Sequence, residues 1–107
     1  MWMQMHRIQA NNVKKNYYDI VEEWCKQLPK FRTLRIEYKL HFDNKRLKDI
    51  DNFSIPIHKF LLDALVKHGV IEDDNYKYVT GYSADFGGIG KENYAVVELV
   101  GEYEDRH

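Results

Sequence analysis

The chain has 107 residues, of which 44% are hydrophobic, 14% aromatic and 31% charged, the size and make-up of one folded domain spanning 1–107 and not of a disordered tail. No apolar run approaches the roughly 20 residues of a membrane span, the opening Met1-Trp2-Met3-Gln4-Met5-His6-Arg7 lacks a signal-peptide layout, and the lone Cys25 can neither staple the fold nor build a zinc site, so a cytoplasmic domain is expected. The net charge of −1 conceals a division: residues 1–48 hold eleven Lys/Arg against five acids, a net of +6, whereas 49–107 hold five against twelve, a net of −7. Such a split suits a basic surface for a polyanion beside an acidic one that collects cations, or two halves that attract each other on folding.

In chain order, residues 1–8 alternate loosely, as a first edge strand would. Asn11 or Asn12 can cap a helix over about 13–28, whose Tyr17, Ile20, Val21, Trp24 and Leu28 recur in steps of three and four before Pro29 stops it. Residues 33–42 set Leu34, Ile36, Tyr38, Leu40 and Phe42 against Arg35, Glu37, Lys39 and His41, the period of two of a half-buried strand. After the polar tetrad Asp43-Asn44-Lys45-Arg46, a second helix is predicted over 56–67. It opens at Pro56, buries Phe60, Leu61, Ala64 and Leu65, and stops at Gly69. Residues 75–86 read as a strand, Gly87-Gly88-Ile89-Gly90 as a turn, and 94–103 as a returning strand, together an antiparallel hairpin. The order β-α-β-α-β-β predicts an α+β domain with a small mixed β-sheet and two main helices.

Two acidic groups flank the second helix. If Lys48-Asp49-Ile50-Asp51-Asn52 is extended, its alternation sets both carboxylates on one face about 6.5–7 Å apart, an arrangement that a divalent cation relieves. Glu72-Asp73-Asp74-Asn75 follows the helix stop, and the two groups are expected to converge at one end of the sheet. Helix caps and a solvated turn are the alternative use of the same residues. Lys59, with Asp63 four residues on, is either an exposed i,i+4 ion pair or a cation aimed at a phosphate.

Other features carry less. The histidines His6, His41, His58, His68 and His107 lack ligand spacing and suit surface or core packing. Gly87-Gly88-Ile89-Gly90-Lys91 lacks the length and the Ser/Thr of a phosphate loop. Tyr76, Tyr78 and Tyr82 suit core packing or base stacking, and Cys25 beside Trp24 suits a packed thiol.

Taken together, Asp49-Ile50-Asp51-Asn52, Lys59-Phe60-Leu61-Leu62-Asp63-Ala64-Leu65 and Gly69-Val70-Ile71-Glu72-Asp73-Asp74 resemble the RusA-type Holliday junction resolvases over about residues 35–100. The resemblance implies a homodimeric α+β endodeoxyribonuclease that uses Mg²⁺, or Mn²⁺ as a substitute, to cut branched DNA by paired nicking in recombination and repair. It implies metal-site roles for Asp49, Asp51 and Asp74, an accessory one for Asp73, and a catalytic one for Lys59. Lys59 stands eight residues after Asp51, where familiar members place their lysine at four; an irregular stretch near Ser54-Ile55-Pro56 would bring it back. Phosphate contacts are expected from Lys14, Lys15, Lys45, Arg46 and Lys48. A non-catalytic DNA-binding module and a flap-cutting nuclease are the alternatives.

Overall fold

A computed structural model describes residues 3–11, 14–43 and 49–103, with side chains for 6–10, 17–43 and 49–103. The elements run β1 (Met3–Asn11), α1 (Lys14–Gln27), β2 (Phe31–Phe42), α2 (Ile50–Lys67), β3 (Val79–Ile89) and β4 (Tyr94–Tyr103). The strands form one mixed sheet in the order β1-β4-β2-β3. β4 is antiparallel to both neighbours, and β2 and β3 are parallel across the α2 crossover.

The predicted alternation of β2 is the inner face of this sheet. Leu34, Ile36, Tyr38, Leu40 and Phe42 are buried, as are Ala95, Val97 and Leu99 of β4. Helix α1 presents Tyr17, Val21 and Cys25 to the same core, and α2 presents Ile57, Leu61, Ala64 and Leu65. Both helices therefore cover one face. The other face carries charges, and its pairs Arg7–Glu98 (2.6 Å) and Lys39–Asp85 (3.7 Å) cross between strands. Phe31 breaks the alternation and is buried too, because the β2–β4 register shifts between Phe31 and Thr33. Gly101 is required where β4 crowds β2, since a Cβ there would run into the Thr33 carbonyl.

Two expectations change. Helix α2 starts at Ile50, not at Pro56, and carries Pro56 inside it. An interior proline costs a helix about 3 kcal/mol. Here the six residues ahead of it continue the inward stripe with Ile50, Phe53 and the buried Ser54, and that burial outweighs the proline. The helix ends as predicted: Gly69 takes φ +71°, its N–H reaches the Val66 carbonyl at 3.1 Å, and the Val70 N–H reaches that of Leu65 at 2.8 Å, the two bonds of a Schellman cap.

The second change is in the sheet. The expected β3–β4 hairpin does not form: β4 inserts between β1 and β2, and β3 pairs with β2 on the sheet edge. Composition explains the choice. β4 offers three fully buried apolar residues to a central position, whereas β3 contains Gly81, Asp85, Gly87 and Gly88 and buries none of its residues fully, a pattern suited to an edge. Residues 87–89 continue β3, so the reversal into β4 falls at 90–93. No described helix is long and apolar enough to cross a membrane.

Candidate functional site

The two acidic groups are positioned by the ends of α2. Asp49 is its N-cap, with the extended backbone (φ −79°, ψ 123°) usual for that position, yet its side chain makes no capping bond. Among the described residues its Oδ2 accepts only a long bond of 3.4 Å from Asn52 Nδ2. Asp51 is exposed in the first turn, where the helix dipole favours negative charge. The pair is thus not the extended dipeptide expected from its alternation, because Asp51 is already helical; both carboxylates nevertheless stand at one helix end.

The later acids lie in the connection between α2 and β3. The Phe31 N–H donates to the Val70 carbonyl (2.7 Å) and the Leu34 N–H to that of Tyr78 (2.8 Å), which ties this connection to the beginning of β2. Asp49 instead follows the end of β2. One strand length and a helix of 18 residues, about 27 Å long, keep the groups apart. Asp49 and Asp51 therefore do not converge with Asp73 and Asp74 within one chain. Among the described residues no group of three or more His, Cys, Asp or Glu is placed to hold a metal ion.

Asp73 is used locally. Its Oδ1 accepts the Asp74 N–H (2.8 Å) and its Oδ2 accepts Asn75 Nδ2 (3.2 Å). Asn75 in turn accepts the Lys77 N–H on Oδ1 (3.0 Å) and the N–H groups of Tyr78 and Val79 on its carbonyl (3.0 and 2.9 Å). The Asp74 carboxylate has no partner of this kind among the described residues and is exposed. Glu72, Asp73, Asn75, Tyr76, Lys77 and Tyr78 line an open recess of about 430 Å³ here.

Lys59 does not come back to Asp51. Helix α2 is α-helical through Ser54-Ile55-Pro56 without the irregular stretch that a return would need, so eight residues carry Lys59 about 12 Å along the axis. Nor does it pair with Asp63: both are exposed, and no ion pair joins them among the described residues. Of the expected phosphate contacts, Lys14 and Lys15 begin α1, with side chains outside the described set. Lys45, Arg46 and Lys48 lie outside the described residues altogether.

The charge division has a structural outlet. Arg7–Glu98, Lys30–Glu72 and Lys39–Asp85 each join a base of the basic half to an acid of the acidic half, whereas Lys67 and His68 reach Glu22 in the opposite sense and Lys26–Glu23 lies within one half. Part of the split is therefore internal attraction. The hydrogen bond from His68 is the main reason the Glu22 carboxyl sits below its usual range. Burial pushes the Cys25 thiol up to about 12, which fits a packed thiol and not a nucleophile.

Beneath the exposed surface of α2 lies a buried polar contact. Tyr38 Oη and His58 Nδ1 are 2.7 Å apart, and the His58 ring stacks on Tyr82 with centroids 3.8 Å apart. Desolvation lowers the His58 pKa and raises that of Tyr38 well above the usual range. Tyr17 Oη donates to the Ile57 carbonyl at 2.9 Å. No buried side-chain polar atom among the described residues lacks a partner.

What sequence reasoning missed is that the flank of β3 beyond the singled-out Tyr82 runs on through Phe86 and Ile89 and is left exposed. Tyr82, Phe86 and Ile89 are 44%, 54% and 50% exposed, and Ile55 on α2 is 45% exposed. The alternation of Tyr82, Ala84 and Phe86 was the available signal, but it looks the same for a core face and for an uncovered one.

No family model matches this chain, and no curated protein does. Among solved structures, the thiamine monophosphate kinase from Aquifex aeolicus matches 95% of this chain at 9% identity with a TM-score of 0.49. The HypE–HypF complex matches the same share at 9% identity with a TM-score of 0.47. The chain spans 34% of the length of either of those chains.

Proposed function

We propose that this chain is the protomer of a dimeric, Mg²⁺-dependent endodeoxyribonuclease that nicks branched DNA, four-way junctions in particular. The observation that carries the reading is the ordered set Asp49-Ile50-Asp51-Asn52 and Gly69-Val70-Ile71-Glu72-Asp73-Asp74, in which the carboxylates of Asp49, Asp51 and Asp74 are exposed and, among the described residues, meet nothing beyond the long Asn52–Asp49 bond. Three hard oxygen donors suit Mg²⁺ or Mn²⁺, but in one chain they do not meet.

A two-fold mate is what joins them. The outer edge of β3 is unpaired and flanked by exposed Tyr82, Phe86 and Ile89, the profile of an edge that adds a strand. Antiparallel pairing of two β3 edges about Ala84 sets Tyr82 opposite the partner's Phe86 and places no like charges face to face. It also runs the two α2 helices antiparallel on one face. The helix start bearing Asp49 and Asp51 then lies beside the turn that bears the partner's Asp74. Asp73 steadies that turn through the bonds described above.

Bound at that junction, a divalent cation would activate a water and neutralise charge on the phosphate under attack. The chain's own part is to hold the carboxylates and to seat the DNA backbone. Lys14, Lys15, Lys45, Arg46 and Lys48 supply phosphate contacts. Lys59, standing mid-helix, fits a phosphate beyond the cut better than the leaving oxygen. Two sites related by a two-fold axis account for paired nicks with 5′-phosphate ends. A second reading, a DNA-binding module without chemistry, is favoured by the separation of the acids should the protein be monomeric.

The test is incubation of the wild type and Asp51→Asn with a four-way junction, a flap and a duplex, in Mg²⁺ and in chelator. Symmetric Mg²⁺-dependent nicks in the junction, absent from Asp51→Asn, are expected. Cutting confined to the flap would make the protein a flap nuclease, and junction binding without cutting would leave the binding module.

A further inference from the structure

Tyr76 is 85% exposed, so its ring gains almost nothing from folding, and apolar burial is the reason most tyrosines are kept. Its backbone, by contrast, is held firmly. Residues 75–78 form a turn closed by the Tyr78 N–H on the Asn75 carbonyl at 3.0 Å. The Asn75 side chain mimics a second closure by accepting the Lys77 N–H at 3.0 Å, and it is anchored by Asp73 at 3.2 Å. An aromatic ring is thus presented at the tip of a braced turn, two residues after Asp74. With the backbone held, only the two side-chain torsions of the ring remain to be ordered on binding, which suits a stacking platform.

We infer that Tyr76 stacks on an unpaired base next to the phosphate that is cut. The inference rests on the nuclease reading and adds to it a residue that recognises the open base at a branch point. Duplex DNA offers no such base without paying for unpairing and for unstacking on both faces, whereas a base at the crossover of an opened junction has lost a stacking neighbour and costs less to expose. Base stacking of this kind is sequence-tolerant because every base has a π-face. Tyr76 therefore contributes to branch selection without reading sequence. Since the ring and not its hydroxyl makes the contact, phenylalanine serves equally.

The experiment compares wild type, Tyr76→Ala and Tyr76→Phe on a four-way junction carrying 2-aminopurine beside the cleavage position, with Ca²⁺ in place of Mg²⁺ for binding and Mg²⁺ for turnover. Tyr76→Ala should keep the thermal midpoint and the dimer, lose about tenfold in junction affinity, and lose the fluorescence change that reports unstacking. Tyr76→Phe should restore both, and duplex affinity should be unchanged throughout. Equal junction affinity and fluorescence for wild type and Tyr76→Ala would overturn the inference while leaving the nuclease reading intact, as would loss of the dimer in Tyr76→Ala, which would make the ring an interface residue. A wild type that binds and unstacks the junction but never cuts would overturn the nuclease reading and keep Tyr76 as a stacking residue. A wild type that does not bind the junction would overturn both.

Discussion

At the C-terminal end of α2 the carboxylates serve the fold. Glu22 is gripped by Lys67 and His68, Glu72 by Lys30, and Asp73 shapes the following turn. At the N-terminal end Asp49 caps the helix with its backbone alone, and Asp51 projects from the first turn without a partner among the described residues. Both ends carry acids, yet only the C-terminal end engages some of them, Glu22, Glu72 and Asp73, while Asp74 there is as unpartnered among the described residues as Asp51. A carboxylate whose removal the fold would not notice is free for a ligand, so stability should respond to the engaged acids Glu22, Glu72 and Asp73, and activity to Asp49, Asp51 and Asp74.

The sharpest way to break that comparison is Asp51→Asn. Junction cleavage should fall by a factor of about a thousand, on the order of 4 kcal/mol in the transition state, with the thermal midpoint unmoved. Mixing Asp51→Asn with Asp74→Asn sharpens it further. A site shared between chains gives mixed dimers one intact centre and restores single nicks, read on a denaturing gel, whereas sites built within each chain stay dead.

Next in size is a change that touches only the fold. Leu61 is fully buried on α2, and Leu61→Ala should cost about 3 kcal/mol in urea denaturation, with the residual folded protein still able to cut.

That contrast also marks what the residues disclosed in advance. The inward stripe of α1, the alternation of β2 and the Gly69 stop were legible because each follows from local periodicity or a cap. The place of β4 was not, since Val96, Val97 and Leu99 would suit a hairpin or a central strand equally and only the competition with β3 decides. The acids of the proposed site were legible as a motif. Their separation was not, because it depends on α2 beginning at Ile50, where tertiary burial overrides the proline.

pH provides a third test. Burial holds the folded pKa of His58 below the 6.5 of the unfolded chain, so the unfolded state takes up the proton first. Its contribution is complete above about pH 6.5 and drains as pH falls towards the folded value. The urea midpoint should drop between pH 7.5 and 5.5, and His58→Gln should flatten that drop. Glu22, whose folded pKa is lowered, contributes above its unfolded value and loses that contribution at still lower pH, so it leaves this window untouched.

The smallest effect belongs to Asp49→Ala. Removing a capping side chain ordinarily costs about 1 kcal/mol, but Asp49 makes no capping bond, so its replacement should shift the urea midpoint by far less. A full-sized loss would show that the carboxylate is committed to the helix after all.

Pro56 has a kinetic side as well. Without an N–H it leaves the Asn52 carbonyl outside the helical ladder, so the turn around Asp51 is joined to the rest of α2 by one rung fewer than any other turn of that helix. In hydrogen–deuterium exchange the amides just ahead of the proline should therefore trade their protons well before those of Leu61 to Leu65, and the segment carrying Asp51 should breathe while the core beneath it stays shut.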